Sequence, residues 1–469
     1  MTKPLRLFNT LTGAVEPLEP LAPPEVGFYA CGPTVYARAH VGNFRTFVAT
    51  DVLRRTLRHL GYRVREVMNV TDVDDRIIQT AREAGQDLAS FTAPYIRAFE
   101  EDMATLRIER PEHMPRATEH IPEMIALIER LTARGHSYTA DGSVYFRIAS
   151  FPEYGRLARL DVAGIKAGAR VDTDKYDKEN ARDFVLWKLK SDEPPWAQWD
   201  APFGRGRPGW HIECSAMSMK YLGETFDLHA GGEDLVFPHH ENEIAQSQCG
   251  TGKLFARHWL HAKHLLIDNE TMSKSKGNFL TIPVLVAEGH SPEAIRYLLA
   301  GAHYRKPLNF GLESLHHAKA GLERVHGLVA RLDEVTGEGA EGVAASFCES
   351  ARADFDKGLA DDLNTPEALA AVHGLVTKAN GLLAEGALTR AGAARIKAEI
   401  GAMDGVFGVL LPGGGEGQLS PEEQALFDER QQARKQREFA RSDAARARLE
   451  ALAVVLEDTP QGTRWRRKR

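Results

Sequence analysis

Four side chains of metal-binding type occupy positions that a fold could bring together. A proline before His239 can open a helix, which would place His239 and Glu243 four residues apart on one face. Cys31 ends a short apolar run typical of a strand, and Cys214 belongs to a separate element. Two thiolates, one imidazole and one carboxylate form a donor set suited to zinc.

Other cysteines and one histidine bear on this metal hypothesis. Buried free cysteine is common, so spacing alone leaves ordinary packing open. His240 competes with its neighbour His239, and sequence cannot separate two adjacent imidazoles. Cys249 and Cys348 match no ligand position and are assigned to packing. The cysteines are far apart and form no CxxC pair, so reduced thiols are expected.

Two segments carry groups suited to phosphate. Residues 40–43 (HVGN) lie where a helix should begin, and free N–H groups and the helix dipole attract phosphate there. Residues 271–277 (TMSKSKG) form a small-residue loop with two lysines that suits a polyphosphate. Taken singly, neither segment is decisive. His40 could equally be a core histidine at a helix start, and the lysines of residues 271–277 could equally be solvated loop residues.

An α/β framework is predicted to position these groups. Residues 26–31 are typical of a buried strand, a helix follows from about Asn43 to Leu60, and residues 62–70 form a second strand. Strand, helix and strand within about 45 residues form a βαβ unit, with its ligand crevice at the carboxyl ends of the strands. Cys31 and residues 71–72 fall at those ends. The sheet is expected to resume near residue 210.

Taken together, the motifs resemble those of a known enzyme class. The two phosphate segments, in this order and more than 200 residues apart, resemble the HIGH and KMSKS signatures of class I aminoacyl-tRNA synthetases. Five further segments resemble cysteinyl-tRNA synthetases: 31–36 (CGPTVY), 69–75 (NVTDVDD), 209–217 (GWHIECSAM), 237–246 (FPHHENEIAQ) and 458–467 (DTPQGTRWRR). The likeness runs from residue 7 to the last residues, essentially the whole chain.

The resemblance implies an α/β fold with a Rossmann-type class I catalytic domain, a helical bundle and a small C-terminal domain. The catalytic domain is expected over 1–255, with an insertion at about 120–205. A KMSKS-loop and helical connective domain should follow over 256–335. The helical anticodon-side bundle is expected over 346–411, and the small anticodon-binding domain over 420–469.

The implied reaction is activation of L-cysteine by ATP to cysteinyl-adenylate, followed by transfer to tRNA(Cys). The resemblance implies one zinc ion per subunit, held by Cys31, Cys214, His239 and Glu243, and Mg²⁺ accompanying ATP. Cysteine and serine differ by one atom, which an apolar pocket discriminates poorly. Zinc binds a thiolate far better than a hydroxyl, so the metal can select the substrate thiol.

Further roles follow from matching positions. His40 and Lys274 are expected to stabilise phosphate charge as catalytic residues. The expected ATP-binding set is His40, Gly42, Asn43, Gly231, Asp234 and Lys274, with Gly231, Gly232 and Asp234 in a tight turn. The expected substrate-binding set is Gly32, Thr71 and Trp210. Asp72, Asp74 and Asp75 could hold the substrate ammonium or form a solvated acidic loop. Two positions depart from the signatures: Asn43 still donates hydrogen bonds and caps a helix, whereas Thr271 removes one cation.

The C-terminal tail is basic on an acidic chain. Residues 421–469 carry 12 Lys/Arg and 9 Asp/Glu, whereas the whole chain has a net charge of -6. Trp465 could stack on an unpaired base, with Arg464, Arg466 and Arg467 on phosphates. Asp458 could accept hydrogen bonds from a guanine edge, or it could be an ordinary turn aspartate. These residues are the predicted anticodon contacts.

Composition limits the remaining possibilities. With 43% hydrophobic and 26% charged residues, the chain fits a soluble globular protein. No apolar run approaches the ~20 residues that span a bilayer, and the first residues do not form a signal peptide, so a cytoplasmic location and no membrane partner are expected. A monomer is expected, because no apolar heptad or stripe calls for a partner.

Two alternative functions are considered. A mycothiol-pathway type of ligase would join activated cysteine to an amino sugar, but it would not need the segments 346–411 and 420–469. A synthetase-like RNA-binding protein without catalysis is disfavoured, because His40, Lys274 and the four metal candidates are all present.

Overall fold

The computed structural model describes residues 3–160, 183–189, 192–267, 270–271, 279–412, 421–436, 438–452, 454–459 and 462–467. The first elements are β1 (Arg6–Asn9), β2 (Ala14–Pro17), β3 (Glu25–Ala30), α1 (Val41–His59), β4 (Arg63–Met68), α2 (Asp75–Glu83), α3 (Leu88–Thr105) and α4 (Ile121–Ala133). Next come β5 (Ser137–Ala140), β6 (Ser143–Phe146), β7 (Phe184–Lys188), β8 (Arg207–Pro208), α5 (Trp210–Leu222), β9 (Phe226–Gly232), α6 (Glu241–Thr251), β10 (Ala256–Ala262), β11 (Leu265–Ile267) and β12 (Glu270–Thr271).

The C-terminal part is mainly helical. Its elements are α7 (Ile282–Ala287), α8 (Pro292–Gly301), β13 (Leu308–Asn309), α9 (Leu312–Leu332), α10 (Val343–Ala360), α11 (Thr365–Ala384), α12 (Arg390–Phe407), α13 (Pro421–Gln436), α14 (Phe439–Ala451), β14 (Val454–Thr459) and β15 (Gly462–Arg467). In the part of the chain that the structure describes, no helix is both long enough and apolar enough to cross a membrane.

A parallel sheet in the order β10-β9-β3-β4 forms the centre of the molecule. Its first unit is the predicted βαβ arrangement, with Ala30 of β3 opposite Met68 of β4. Helix α1 connects them and buries Phe44, Val48 and Leu53 in the core. The parallel strands bring their carboxyl ends to one edge, where α/β sheets bind ligands.

Along the sequence, the strands of an antiparallel sheet, β5-β6-β7-β8, come after the βαβ unit and before α5. The expectation that the central sheet resumes near residue 210 is wrong. Trp210 is the first residue of α5, and the sheet resumes at β9, sixteen residues later. Pro208 ends the short strand β8 and Gly209 adopts an extended backbone at the helix N-cap, so the chain turns into a helix there.

Buried polar contacts join helix α1, which packs on the central sheet, to the C-terminal helices. Arg296 of α8 is fully buried and donates hydrogen bonds to Asp51 of α1 (2.5 Å) and to the carbonyl oxygen of Phe407 in α12 (2.6 Å). A small separate core packs α13, α14 and the β14–β15 hairpin around Leu426, Leu449 and Val454. Helix α13 begins directly after residue 420.

Candidate active site

A cavity of about 250 Å³ opens at the carboxyl ends of β3, β4 and β9. Its lining includes Cys31, Gly32, Thr34, Tyr36, His40, Asn43, Asn69, Thr71, Tyr95, Trp210, Cys214, Gly232, Asp234, His239 and Phe279. Most of the residues with expected catalytic, metal, ATP or substrate roles therefore meet at one place, although they come from four distant segments of the chain.

Three of the candidate metal ligands, Cys31, Cys214 and His239, line this cavity, and the fully buried Glu243 lies next to His239. Cys31 directly follows β3, Cys214 lies within α5, His239 belongs to a π-helical turn (Val236–His240), and Glu243 lies in the first turn of α6. The two sulfur atoms are 3.9 Å apart, and Nε2 of His239 is 3.1 Å from Oε1 of Glu243. All four ligand atoms lie within 4.8 Å of one another and all four residues are buried. Such convergence of two thiols, an imidazole and a carboxyl group fits a tetrahedral zinc site.

The neighbouring histidine forms an overlapping set. Cys31, His229, His240 and Glu243 also bring their ligand atoms within 4.8 Å of one another. Nε2 of His240 is 3.3 Å from the Cys31 sulfur, and its Nδ1 is 2.7 Å from Nε2 of His261. His239 lines the cavity next to Cys214, whereas His240 is absent from the lining formed by the described residues.

Burial and close contact shift the pKa values of the candidate metal ligands. Although burial opposes it, the hydrogen bond from the Cys31 thiol lowers the pKa of Cys214 to about 6. Burial raises the pKa of Cys31 well above its usual range. Against burial, the neighbouring Cys214 raises the pKa of His239 to about 10. A zinc ion held by these residues would require the loss of a proton from both Cys31 and His239.

Sequence reasoning missed a group of buried histidines behind the metal ligands. Nδ1 of His211 is 2.9 Å from Nδ1 of His239, and Nε2 of His229 is 3.0 Å from Oε2 of Glu243. Burial lowers the pKa of His211 well below its usual range and that of His261 to about 3, so both are neutral at pH 7. The available signal was a polar residue in each apolar strand: His229 lies in β9 and His261 in β10.

The expected substrate residues form the wall of the cavity. The ring of Trp210 lies 4.3 Å from the ring of His239, and 37% of Trp210 is exposed, so it is a cavity wall and not an ordinary core residue. A Cβ atom at Gly32 would lie only 1.7 Å from the carbonyl oxygen of Asn69, so no other residue fits there. Thr71 is buried and its hydroxyl oxygen accepts a hydrogen bond from Nδ2 of Asn69 at 3.0 Å.

The three aspartates after Thr71 have structural partners. Asp72 accepts hydrogen bonds from the amide and hydroxyl of Thr118 (2.9 and 2.7 Å). Asp74 caps α2, and Asp75 pairs with Lys188 and Arg207. None of the three belongs to the lining that the described residues give the main cavity. The expectation that they hold a substrate ammonium is therefore not supported; the alternative of a solvated position does not fit the buried Asp72, whereas Asp75 is exposed.

Several of the expected ATP residues also line the cavity. His40 is the N-cap of α1, with Gly42 and Asn43 in the first turn, and His40, Asn43 and Asp234 line the cavity. Gly231 and Gly232 do not form a tight turn as expected; they are the last residues of β9. A Cβ atom at Gly231 would come within 2.7 Å of the His240 ring, which explains the small residue.

Two groups of expected residues lie away from this geometry. Lys274 falls outside the residues that the structure describes. Asp458 lies in β14 and Arg464 and Arg466 in β15, where Asp458 faces Thr463 in the hairpin register. Trp465 is half-buried, faces Leu456 across the hairpin and packs against the small C-terminal core.

Comparisons with known proteins agree with this architecture. Family models match three consecutive parts of the chain: the class I (C) tRNA synthetase catalytic domain over 17–320, the DALR domain over 354–411 and the cysteinyl-tRNA ligase anticodon binding domain over 416–466. Among solved structures, methionyl-tRNA synthetase of Mycobacterium tuberculosis with methionyl-adenylate is similar in fold (TM-score 0.59, 16% identity), covering 82% of this chain and 90% of that one. The fold and the cavity define a class I aminoacyl-tRNA synthetase.

Sequence relatives narrow the assignment. The cysteine–tRNA ligase of Solibacter usitatus is 50% identical over 99% of this chain and 100% of its own length. The corresponding proteins of Koribacter versatilis and Brachyspira hyodysenteriae are 46% and 43% identical, each over 99% of this chain and 100% of its own length. The chain therefore belongs to the cysteine–tRNA ligase family.

Proposed function

We propose that the protein activates L-cysteine with ATP and transfers it to tRNA(Cys), with a zinc ion selecting the substrate thiol. The observation that carries the proposal is the convergence of Cys31, Cys214, His239 and Glu243 beside a cavity that His40 and Asn43 also line. One cavity thus joins a thiol-binding end to a phosphate-binding end, and full-length similarity to cysteine–tRNA ligases supports this assignment.

The metal position is assigned to His239 in preference to His240. His239 belongs to the set with two sulfur ligands, and it faces the cavity beside Trp210. When bound, zinc supplies a Lewis-acid centre that prefers a thiolate to a hydroxyl group. Cys31 and Cys214 hold their sulfur atoms towards this point, and Trp210 limits the space beside it.

In the activation step, the cysteine carboxylate attacks the α-phosphate of ATP, giving cysteinyl-adenylate and releasing pyrophosphate. The chain contributes position and charge neutralisation more than proton transfer. Nδ1 of His40 accepts the amide hydrogen of Asn43, so the neutral ring carries its proton on Nε2 and can donate it to a phosphate oxygen. Lys274 adds positive charge and Mg²⁺ accompanies the polyphosphate. In the second step, a ribose hydroxyl of the terminal adenosine takes the cysteinyl group and AMP leaves.

Transfer RNA is the proposed acceptor because of the C-terminal elements. The DALR match and the anticodon-binding match together extend over 354–466, a region that a ligase for an amino sugar does not need. We assign Asp458, Arg464, Trp465 and Arg466 of the β14–β15 hairpin to contacts with the anticodon. The protein is proposed to act as a monomer in the cytoplasm.

The deciding experiment is attachment of labelled cysteine to total tRNA in the presence of ATP and Mg²⁺, with labelled serine as the matched control. Acid-precipitable label from cysteine and not from serine is expected. Cysteine-dependent pyrophosphate exchange without labelled tRNA would instead indicate the amino-sugar ligase. Zinc-loaded, folded protein with neither activity would leave only a non-catalytic RNA-binding role.

A further inference from the structure

Asn69 occupies a gap in the hydrogen-bond ladder beside the candidate metal site. The regular pairing of β3 with β4 ends at Ala30 opposite Met68. Pairing resumes at an isolated parallel bridge between Thr34 and Thr71, where the amide of Val35 donates to the Thr71 carbonyl oxygen at 3.1 Å. Between these points, Cys31 lies in the segment that follows β3, and Asn69 lies in the segment that follows β4.

The side chain of Asn69 spans this gap with both of its ends. Its Oδ1 accepts the amide hydrogen of Gly32 at 2.8 Å, and its Nδ2 donates to Oγ1 of Thr71 at 3.0 Å. Asn69 is 1% exposed, so water does not replace these contacts readily. Only a carboxamide accepts at one end and donates at the other in this arrangement; a carboxylate only accepts, and an alkyl group does neither.

The two groups that Asn69 connects both belong to the proposed amino-acid site. Gly32 is bonded directly to the metal ligand Cys31, and Thr71 belongs to the expected substrate set. The close approach of Gly32 to the Asn69 carbonyl group fixes the main chain on one side. The hydrogen bond from Nδ2 occupies one lone pair of the Thr71 hydroxyl and thereby restricts its orientation on the other side.

We propose that Asn69 is a positioning residue. It holds the proposed metal ligand Cys31 and the side-chain hydroxyl of Thr71 at a fixed separation, so that one cysteine molecule contacts both. This inference rests on the proposed function. Asn69 acts through Gly32 and Thr71, and its effect should therefore fall on cysteine binding and leave the ATP side, across the cavity at His40, unchanged.

The test compares Asn69→Asp, which keeps an acceptor for Gly32 but loses the donor to Thr71, with wild type in cysteine-dependent pyrophosphate exchange. The KM for cysteine should rise at least about tenfold, a loss of ~1.4 kcal/mol in binding, while the KM for ATP stays within about twofold and zinc content is unchanged. Asn9→Ala is the control, because Asn9 is an equally buried asparagine whose side chain bonds elsewhere, to the amides of Leu11 and Trp259 and the carbonyl oxygen of Arg257. It should lower the melting temperature without moving the KM for cysteine.

A double-mutant cycle separates positioning from general damage. If Asn69 acts through the Thr71 hydroxyl, Asn69→Asp should have little further effect on the KM for cysteine in a Thr71→Val background. Additive effects, or an unchanged KM for cysteine in Asn69→Asp, would overturn the inference. A wild-type protein with no cysteine-dependent exchange would instead overturn the proposed function, and the inference with it.

Discussion

His40 and Asn43 cap each other across the first turn of α1. The amide of Asn43 donates to Nδ1 of His40 at 3.1 Å, and the amide of His40 donates to Oδ1 of Asn43 at 3.0 Å. The asparagine that departs from the HIGH signature therefore completes a reciprocal capping box. The backbone amide of Asn43, which donates to Nδ1, fixes the orientation of the imidazole that lines the cavity.

Loss of this cap should be measurable in stability and in activation. Asn43→Ala should lower the free energy of unfolding by about 1 kcal/mol, because the amide of His40 loses its side-chain acceptor Oδ1. Asn43→Asp keeps an acceptor for the His40 amide and should recover most of that loss. Urea denaturation measures the difference; equal stability of the alanine variant and wild type would contradict the capping role.

Removal of one sulfur should abolish thiol selection. Cys214→Ser should reduce zinc content at least about tenfold, because a hydroxyl is a much poorer zinc ligand than a thiolate, and the preference for cysteine over serine should fall with it. Zinc analysis after dialysis and pyrophosphate exchange with both amino acids provide the measurement. Cys249→Ser is the control: it removes another buried thiol, on α6, outside either candidate metal set. A Cys214→Ser protein with full zinc content would refute the proposed ligand set.

Residues 271–277 should contribute to adenylate formation through one of their two lysines. Lys274→Ala should slow adenylate formation at least about tenfold, equivalent to ~1.4 kcal/mol, because positive charge near the α-phosphate is lost. Lys276→Ala, in the same loop, is the matched control and should have the smaller effect. Single-turnover measurement of adenylate decides this, and a wild-type rate in Lys274→Ala would remove that residue from the mechanism.

The buried histidine His261 should make the protein sensitive to acid. Its folded-state pKa of about 3 lies below the unfolded value of about 6.5, so the unfolded chain binds the proton first and stability falls as pH drops below that value. Between pH 7 and 5.5 this histidine should cost about 1 kcal/mol of the free energy of unfolding. Urea denaturation of zinc-free protein should therefore show a smaller loss for His261→Gln than for wild type.

The exposed His317 of α9 supplies the control for that experiment. His317→Gln should follow the wild-type pH dependence. An equal loss of stability in wild type and in His261→Gln would show that His261 does not stay neutral in the folded chain.

The β14–β15 hairpin of the protein should affect only the transfer of cysteine to tRNA. Asp458→Ala should lower the rate of tRNA charging by about tenfold, since a desolvated hydrogen-bond partner for a base edge is lost, and it should leave pyrophosphate exchange at the wild-type level. Asp443→Ala, on the exposed surface of the neighbouring helix α14, should change neither rate. Equal loss of charging and exchange in Asp458→Ala would indicate misfolding.

Local patterns predicted the first βαβ unit because its apolar periodicities and its stop at Gly61 are contained within short stretches of sequence. Gly61 has a positive φ of 92°, as a helix-ending glycine should. The start of α5 at Trp210 was missed, because an aromatic residue after a glycine gives no helix signal of its own. Tertiary pairing decides that boundary.

Motifs singled out the four candidate metal ligands that the fold brings together, whereas the role of their surroundings depended on distant contacts. Asp75 reads as a loop acid in the sequence, and only the folded chain brings Lys188 and Arg207 to it. The same holds for the histidines behind the metal site: His229 and His261 lie on different strands of the sheet and meet only once β9 and β10 pair.

Protein synthesis adds a constraint in time to the metal site. Cys31 and Glu243 lie 212 positions apart along the chain, yet their sulfur and oxygen atoms are 3.8 Å apart. A ribosome releases the chain from its N-terminus, so Cys31 leaves the exit tunnel long before its last partner is made. During that interval the thiol has no complete site to enter. The complete set of candidate metal ligands therefore exists only after more than half of the chain has been translated.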